Sequence, residues 1–165
     1  MKKNGFTLIE LLTVVGILTA IGSIAVSVIT VTLRGTRKTD LLESARQNGG
    51  AALSQIVKSI RYAQSLDAPA ICVPTQTTNA ITITSLSDHA QTTYSCNGVS
   101  ISSNSASLID TNAIKVQCSF VCTQTTVNDP PTITIKLLLS PQTTGSFVDT
   151  TFNLPLQSSV TLRNY

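Results

Sequence analysis

The chain has 165 residues, a formal net charge of +3 and a strongly apolar start, which suits one soluble domain plus one membrane helix. Lys2 and Lys3 supply two of the three net charges and Trp is absent. Neither the basic field nor the aromatic platform of a nucleic-acid binder is present, so no nucleic-acid partner is expected.

Residues 1–5 form a short basic leader. Residues 6–33 follow, 28 positions without proline in which Glu10 is the sole charge. Roughly 20 apolar residues, at about 1.5 Å each, cross the hydrocarbon core of a bilayer. This segment therefore reads as a transmembrane helix. Gly16 and Gly22 weaken it, but lipid enforces a helix because unpaired backbone groups cannot be left there. Arg34, Arg37 and Lys38 mark its far end. Glu10 is the anomaly, since a carboxylate at mid-membrane costs about 2.5–3.5 kcal/mol on insertion scales. Such a group needs a partner or a function.

Residues 34–66 read as an amphipathic extension of the same helix. Leu42, Ala45, Gly49, Ala52 or Leu53, Ile56, Ile60 and Ala63 follow helical spacing, with a tight stripe at Leu53, Ile56, Val57 and Ile60. The reading is one long helix from about Phe6 to Leu66. Gly49 and Gly50 mark either a bend or a place where a strand packs closely on the helix.

After Asp67, Ala68 and Pro69 the period changes to two. Ile81 and Ile83 alternate with threonines, and Tyr94 and Cys96 with Thr93 and Ser95. Ile114, Val116, Cys118 and Phe120 share one parity, as do Ile133, Ile135, Leu137 and Leu139. "SFVDTTF" and "VTLR" are late strand candidates. Turns are expected at Asn97 and Gly98, across residues 128–131, at Ser140 and Pro141, and at Gly145. No helical run separates these strands. The fold class is α+β: a long N-terminal helix, half membrane and half amphipathic, packed on a C-terminal antiparallel sheet in residues 67–165. No internal repeat occurs.

Cys72, Cys96, Cys118 and Cys122 all follow the membrane segment. An even number in an exported domain points to disulfides, with three possible pairings. His89 is the only histidine and no paired C-x-x-C occurs, so no metal site is expected. Four residues of straight strand span about 13 Å, whereas a disulfide needs its Cα atoms roughly 4.4–6.8 Å apart. Cys118 and Cys122 therefore bond each other only if the intervening "SFV" bulges or turns. Otherwise each reaches Cys72 or Cys96 across the sheet. The reading favours Cys72 with Cys96 and a short Cys118 to Cys122 loop, because "CTQTT" loses the apolar alternation.

The opening "KKNGFTLIELLTVV" resembles the N-terminus of a type IV prepilin or pseudopilin: a basic leader ending in Gly, then Phe, Thr-Leu-Ile-Glu and an unbroken apolar helix. The resemblance is strong over about the first 33 residues and holds elsewhere in layout only. It implies that a prepilin peptidase cuts between Gly5 and Phe6 and methylates the new amino terminus at Phe6. It also implies that Glu10 is the family's buried assembly glutamate, paired in a filament with the terminal amine of a neighbouring subunit. At about 4 Å and an effective dielectric near 20, such a pair gains roughly 4 kcal/mol, comparable with the insertion cost.

The partners so implied are other pilin or pseudopilin subunits, the peptidase, the membrane and an inner-membrane assembly platform. No cofactor is implied. The place implied is the inner or cytoplasmic membrane, crossed once, with the β domain outside the cytoplasm and the filament periplasmic or at the cell surface. The flanking charges compete over orientation, Lys2 and Lys3 against Arg34, Arg37 and Lys38, and the later cysteines favour an outward β domain. Many major pilins carry a proline part-way along the helix, and this chain has none before Pro69. The tip subunit often lacks the glutamate that stands here as Glu10. A minor subunit beneath the tip or along the shaft is expected, with a β region somewhat similar to pseudopilins of the H or J type.

No enzyme activity is expected. Asp88 and His89 stand in a turn-like "SLSDHAQ", no G-x-S-x-G occurs, and the acids are scattered singly. The alternatives are an ordinary signal peptide cut after Ala25 in "SIAVS" and a membrane-anchored adhesin or binding module that does not assemble.

Overall fold

One helix, α1, runs without a break from Leu8 to Arg61, 54 residues. The computed structural model describes residues 7–69, 72–112, 114–126, 128–142 and 151–163. Two compact units divide the chain, the first ending at Thr39 and the second beginning at Asp40, so the boundary falls inside α1. Gly5 and Phe6, and with them the leader, lie outside the described residues.

In the second unit α1 buries Ala45, Gly49, Ala52, Ile56 and Ile60. This is a narrower stripe than the sequence pattern implies, with Leu53 and Val57 half-buried at its edge. The helix is continuous through Gly49 and Gly50. A Cβ built on Gly49 would lie 2.7 Å from Leu156 Cδ1 and 2.9 Å from Leu139 Cδ2, whereas one on Gly50 meets nothing within 4 Å. Close packing, one of the two readings of this glycine pair, is observed at Gly49.

Nine strands follow among the described residues: β1 (Ala63–Ala68), β2 (Thr75–Thr78), β3 (Ala80–Ser85), β4 (Gln91–Cys96), β5 (Ile101–Ser103), β6 (Ala106–Ser107), β7 (Ile114–Thr123), β8 (Thr132–Pro141) and β9 (Leu154–Thr161). They form two antiparallel sheets rather than the single sheet expected, ordered β1-β3-β4-β5-β6 and β2-β7-β8-β9. The second half of α1 meets both. Leu139 and Leu156 of the four-stranded sheet face Gly49. Tyr94 of the five-stranded sheet is 2 % exposed and donates its hydroxyl to Ser59 Oγ at 2.9 Å.

The predicted alternation holds in the long strands. Ile81 and Ile83 are buried, as are Ile114, Val116, Phe120 and Cys122, and Ile133, Ile135, Leu137 and Leu139. The many hydroxyl side chains bond across strands on the wetter faces: Thr82 with Thr93, Ser95 with Ser102, Thr132 with Thr161 and Thr134 with Ser159, all at 2.8–2.9 Å. Such cross-strand pairs help hold register.

The helix ends sooner than the 34–66 segment predicts. Its last backbone bond runs from the Tyr62 amide to the Lys58 carbonyl at 3.2 Å, and Ala63 then pairs with Ser85 in a strand. "AQSLDA" has little intrinsic strand preference. The edge of β3 and the Asp67 carboxylate, which accepts from Thr84 Oγ1 at 2.6 Å and Gln91 Nε2 at 3.2 Å, override helical propensity there. At the other end of the domain, β8 runs on through the turn expected at Ser140 and Pro141. Thr151 and Phe152 of "SFVDTTF" are not in a strand, and the earlier part of that stretch and Gly145 lie outside the described residues. β9 forms from "LPLQSSVT" instead, tolerating Pro155 because it is paired on one side only, with β8.

The disulfides join Cys72 to Cys122 and Cys96 to Cys118. This corrects the favoured pairing. Strand β7 keeps an unbroken register with β8 from Ile114 to Thr123, so "SFV" neither bulges nor turns and Cys118 stays too far from Cys122. Each instead crosses to another segment. Cys96 lies on β4, so its bond to Cys118 on β7 ties the two sheets together beside the Val116 amide to Val99 carbonyl bond of 2.8 Å. Cys72 and Cys122 are each 1 % exposed.

Two predictions follow from this packing. In a fragment of residues 36–165, Gly49→Leu should lower stability by about 1–3 kcal/mol through overpacking, while Gly50→Ala should raise it by up to about 1 kcal/mol. Thermal unfolding checks both signs. Non-reducing peptide mapping should recover Cys72 linked to Cys122 and Cys96 linked to Cys118. Replacing the first pair by alanine should cost up to about 4 kcal/mol and the second about 3 kcal/mol, from their loops of 50 and 22 residues.

Candidate functional site

The first unit presents a continuous apolar surface. Leu8, Ile9, Leu11, Leu12, Ile24 and Val31, with the other large side chains up to Leu33, are all exposed. An unbroken apolar helix of this kind is a candidate membrane anchor. Its polar side chains are dealt with internally. Thr13, Thr19, Ser23, Ser27, Thr30 and Thr32 each donate the hydroxyl to a carbonyl three or four residues earlier, at 2.8–2.9 Å. No hydroxyl on this stretch needs water, which makes the segment compatible with hydrocarbon.

At about 100° per residue, Gly16, Ala20, Ser23, Ser27 and Thr30 fall on one face, which the bulkier Ile9 and Leu12 continue toward the N-terminus. A face of small residues allows another helix backbone to approach closely in lipid.

Glu10 stands at the N-terminal end of this helix. Thr7 precedes the first turn, and its carbonyl accepts from the Glu10 amide at 3.1 Å and the Leu11 amide at 3.2 Å. Glu10 Oε2 reaches back to the Thr7 hydroxyl at 3.3 Å and the Thr7 amide at 3.5 Å. The spacing is that of a capping box, with Thr as N-cap and Glu at the third helical position. Both contacts are long beside the 2.7–2.9 Å of a charge-assisted bond. The carboxylate is thus loosely held and exposed. The capping role was visible in "TLIE" as a T-x-x-E pattern, and the sequence reading passed over it.

The cysteines, His89 and Asp88 all have partners within the β domain. All four cysteines are in disulfides. His89 Nδ1 pairs with Gln64 Oε1 at 2.7 Å. The neighbouring Asp88 carboxyl is held below its ordinary range, first by the Ser85 side chain and then by the Ala90 amide. Those bonds shape the loop between β3 and β4. An open groove beside this loop is lined by Lys58, Tyr62, Leu86 and Asp88, among others.

No protein-family model, curated protein or solved structure matches this chain. The pilin-like character rests on the layout, a long apolar N-terminal helix whose second half packs on antiparallel sheets, and on the motif at its start.

Proposed function

We propose that the protein is a structural subunit, a minor pilin or pseudopilin, of a type IV pilus or of a type II secretion or competence pseudopilus. In this reading prepilin peptidase cleaves after Gly5 and methylates Phe6, and the subunit is drawn from the membrane into a filament through α1. The observation that carries it is the coincidence of "GFTLIE" with an exposed apolar helix that leads, without a break, into a disulfide-bonded β domain. The loose hold of Thr7 on Glu10 supports it, because a carboxylate in that state gains most from the amine of another chain. The small-residue face supports it too, since subunit helices in a filament core must lie close together. The protein acts as a building unit rather than as an enzyme.

Two outcomes are expected in the native host. Intact mass and N-terminal sequencing should give a chain starting at methylated Phe6, and a bulky residue at position 5 should trap the full-length precursor in the membrane. A chain starting at Val26 would instead identify an ordinary secreted protein, and an unprocessed anchor would favour an unassembled adhesin. Glu10→Ala should be processed and inserted but depleted at least tenfold from sheared filaments, since about 1.4 kcal/mol is a factor of ten and the lost pair is worth roughly 4 kcal/mol. Wild-type incorporation of that variant would remove the pairing role of Glu10.

A further inference from the structure

Arg34, Arg37 and Lys38 follow the apolar stretch at the spacing i, i+3, i+4, which puts all three on one face of α1. All three are exposed. The hydroxyls of the same turn are not offered outward, since Thr36 donates to the Thr32 carbonyl at 3.0 Å and Thr39 to the Gly35 carbonyl at 3.1 Å. The turn carries two guanidinium groups and one ammonium group, with Asp40 three residues past Arg37.

The length of the stretch fixes where such a cluster sits. Residues 11–33 are 23 uncharged positions, or about 34 Å of helix, against a hydrocarbon core of about 30 Å. The span is filled by these residues alone. Arg34 then emerges in one headgroup layer, and Glu10, about 36 Å away along the axis, lies in the opposite one. Guanidinium groups match phosphate oxygens in paired hydrogen bonds, and basic residues at a membrane surface are drawn to anionic lipid.

We propose that Arg34, Arg37 and Lys38 form a binding surface for anionic phospholipid headgroups, which sets the depth of the unassembled subunit and keeps Glu10 in the opposite, hydrated layer. The inference rests on the membrane-anchor reading of α1. It adds a lipid class, a set of residues and a position for the carboxylate before assembly. The three cations draw the helix toward the surface they face, so the subunit leaves the bilayer only after those headgroup contacts are released.

The test uses the full chain in nanodiscs of equal phosphatidylcholine and phosphatidylglycerol. Lys2→Gln and Lys3→Gln are included throughout, so that the leader does not attract lipid itself. Native mass spectrometry counts the lipids that remain bound. The chain with the basic cluster intact should retain phosphatidylglycerol over phosphatidylcholine by at least about fivefold, and Arg34→Gln/Arg37→Gln/Lys38→Gln should bring the ratio close to one. Arg34→Lys/Arg37→Lys should keep most of the preference, and Lys115→Gln in the β domain should leave it unchanged. Resistance to carbonate extraction is measured on every sample. Inserted protein with no lipid preference, or a triple variant with the full preference, would overturn the proposal and leave the anchor intact. Protein that does not insert would remove both.

Discussion

The constraint on which the first part of this structure depends is that hydrocarbon accepts no unpaired donor or acceptor. A helix meets that demand for the backbone, but residues 8–33 also carry six hydroxyl side chains, which would each be costly if left unpaired in lipid. Their donation to carbonyls of the preceding turn removes the cost. The side chains left over are aliphatic and need no partner. This is how a stretch with as many as six hydroxyls remains a candidate to cross a bilayer, and why its polar character does not argue for an aqueous environment.

Past Asp40 the same helix meets a different requirement. There the hydrophobic effect rewards contact with protein, and close approach is limited by side-chain volume. Along the buried stripe Ala45, Gly49 and Ala52 are small, and Ile56 and Ile60 are large farther on. At Gly49, Leu139 and Leu156 occupy the space a side chain would take. In an isolated helix the glycine pair weakens the structure by about 1 kcal/mol per residue. In the folded domain one of the two supplies the gap that the sheet fills. Gly50, facing open space, has no such compensation.

What could be read in advance followed from periodicity, and what could not depended on tertiary pairing. Ile133 to Leu139 alternate so regularly that the buried face of β8 was evident from the letters alone. β1 was not, because Ala63 and Leu66 continue the helical spacing and only their pairing with Ser85 and Ile83 makes them strand residues. The β5 and β6 hairpin turns on Asn104 and Ser105, with φ of 47° and 73°. That conformation is favoured by Asn but weakly signalled without Gly. The cysteine parity on β7 was legible, and the distance rule that excludes Cys118 with Cys122 was already in hand. The error lay in expecting "CTQTT" to break the strand, when the pairing of Thr123 with Thr132 and Thr75 carries it on. At the N-terminal end the T-x-x-E capping pattern was legible, and only the length of the Glu10 bonds to Thr7 was not.

Those bonds bear on when the cost of a buried carboxylate arises. A carboxylate at mid-membrane would be penalised from the moment of insertion. The 23 uncharged residues after Glu10 are enough to fill the core without it, so the lone helix can keep the carboxylate at the boundary, capped by Thr7 and reached by water. In the proposed assembly, the penalty would fall on the step that moves the helix out of that register into an apolar bundle. Thr7 cannot offset it, because a neutral hydroxyl at 3.3 Å and an amide at 3.5 Å are weak partners for a full charge. A cation can, and the amine that the proposed cleavage would expose is small enough to enter a bundle. If the proposed filament role holds, a glutamate in this position would cost little in the lone helix and become selective only on assembly, when a register that leaves it unpaired is disfavoured by the desolvation of the charge.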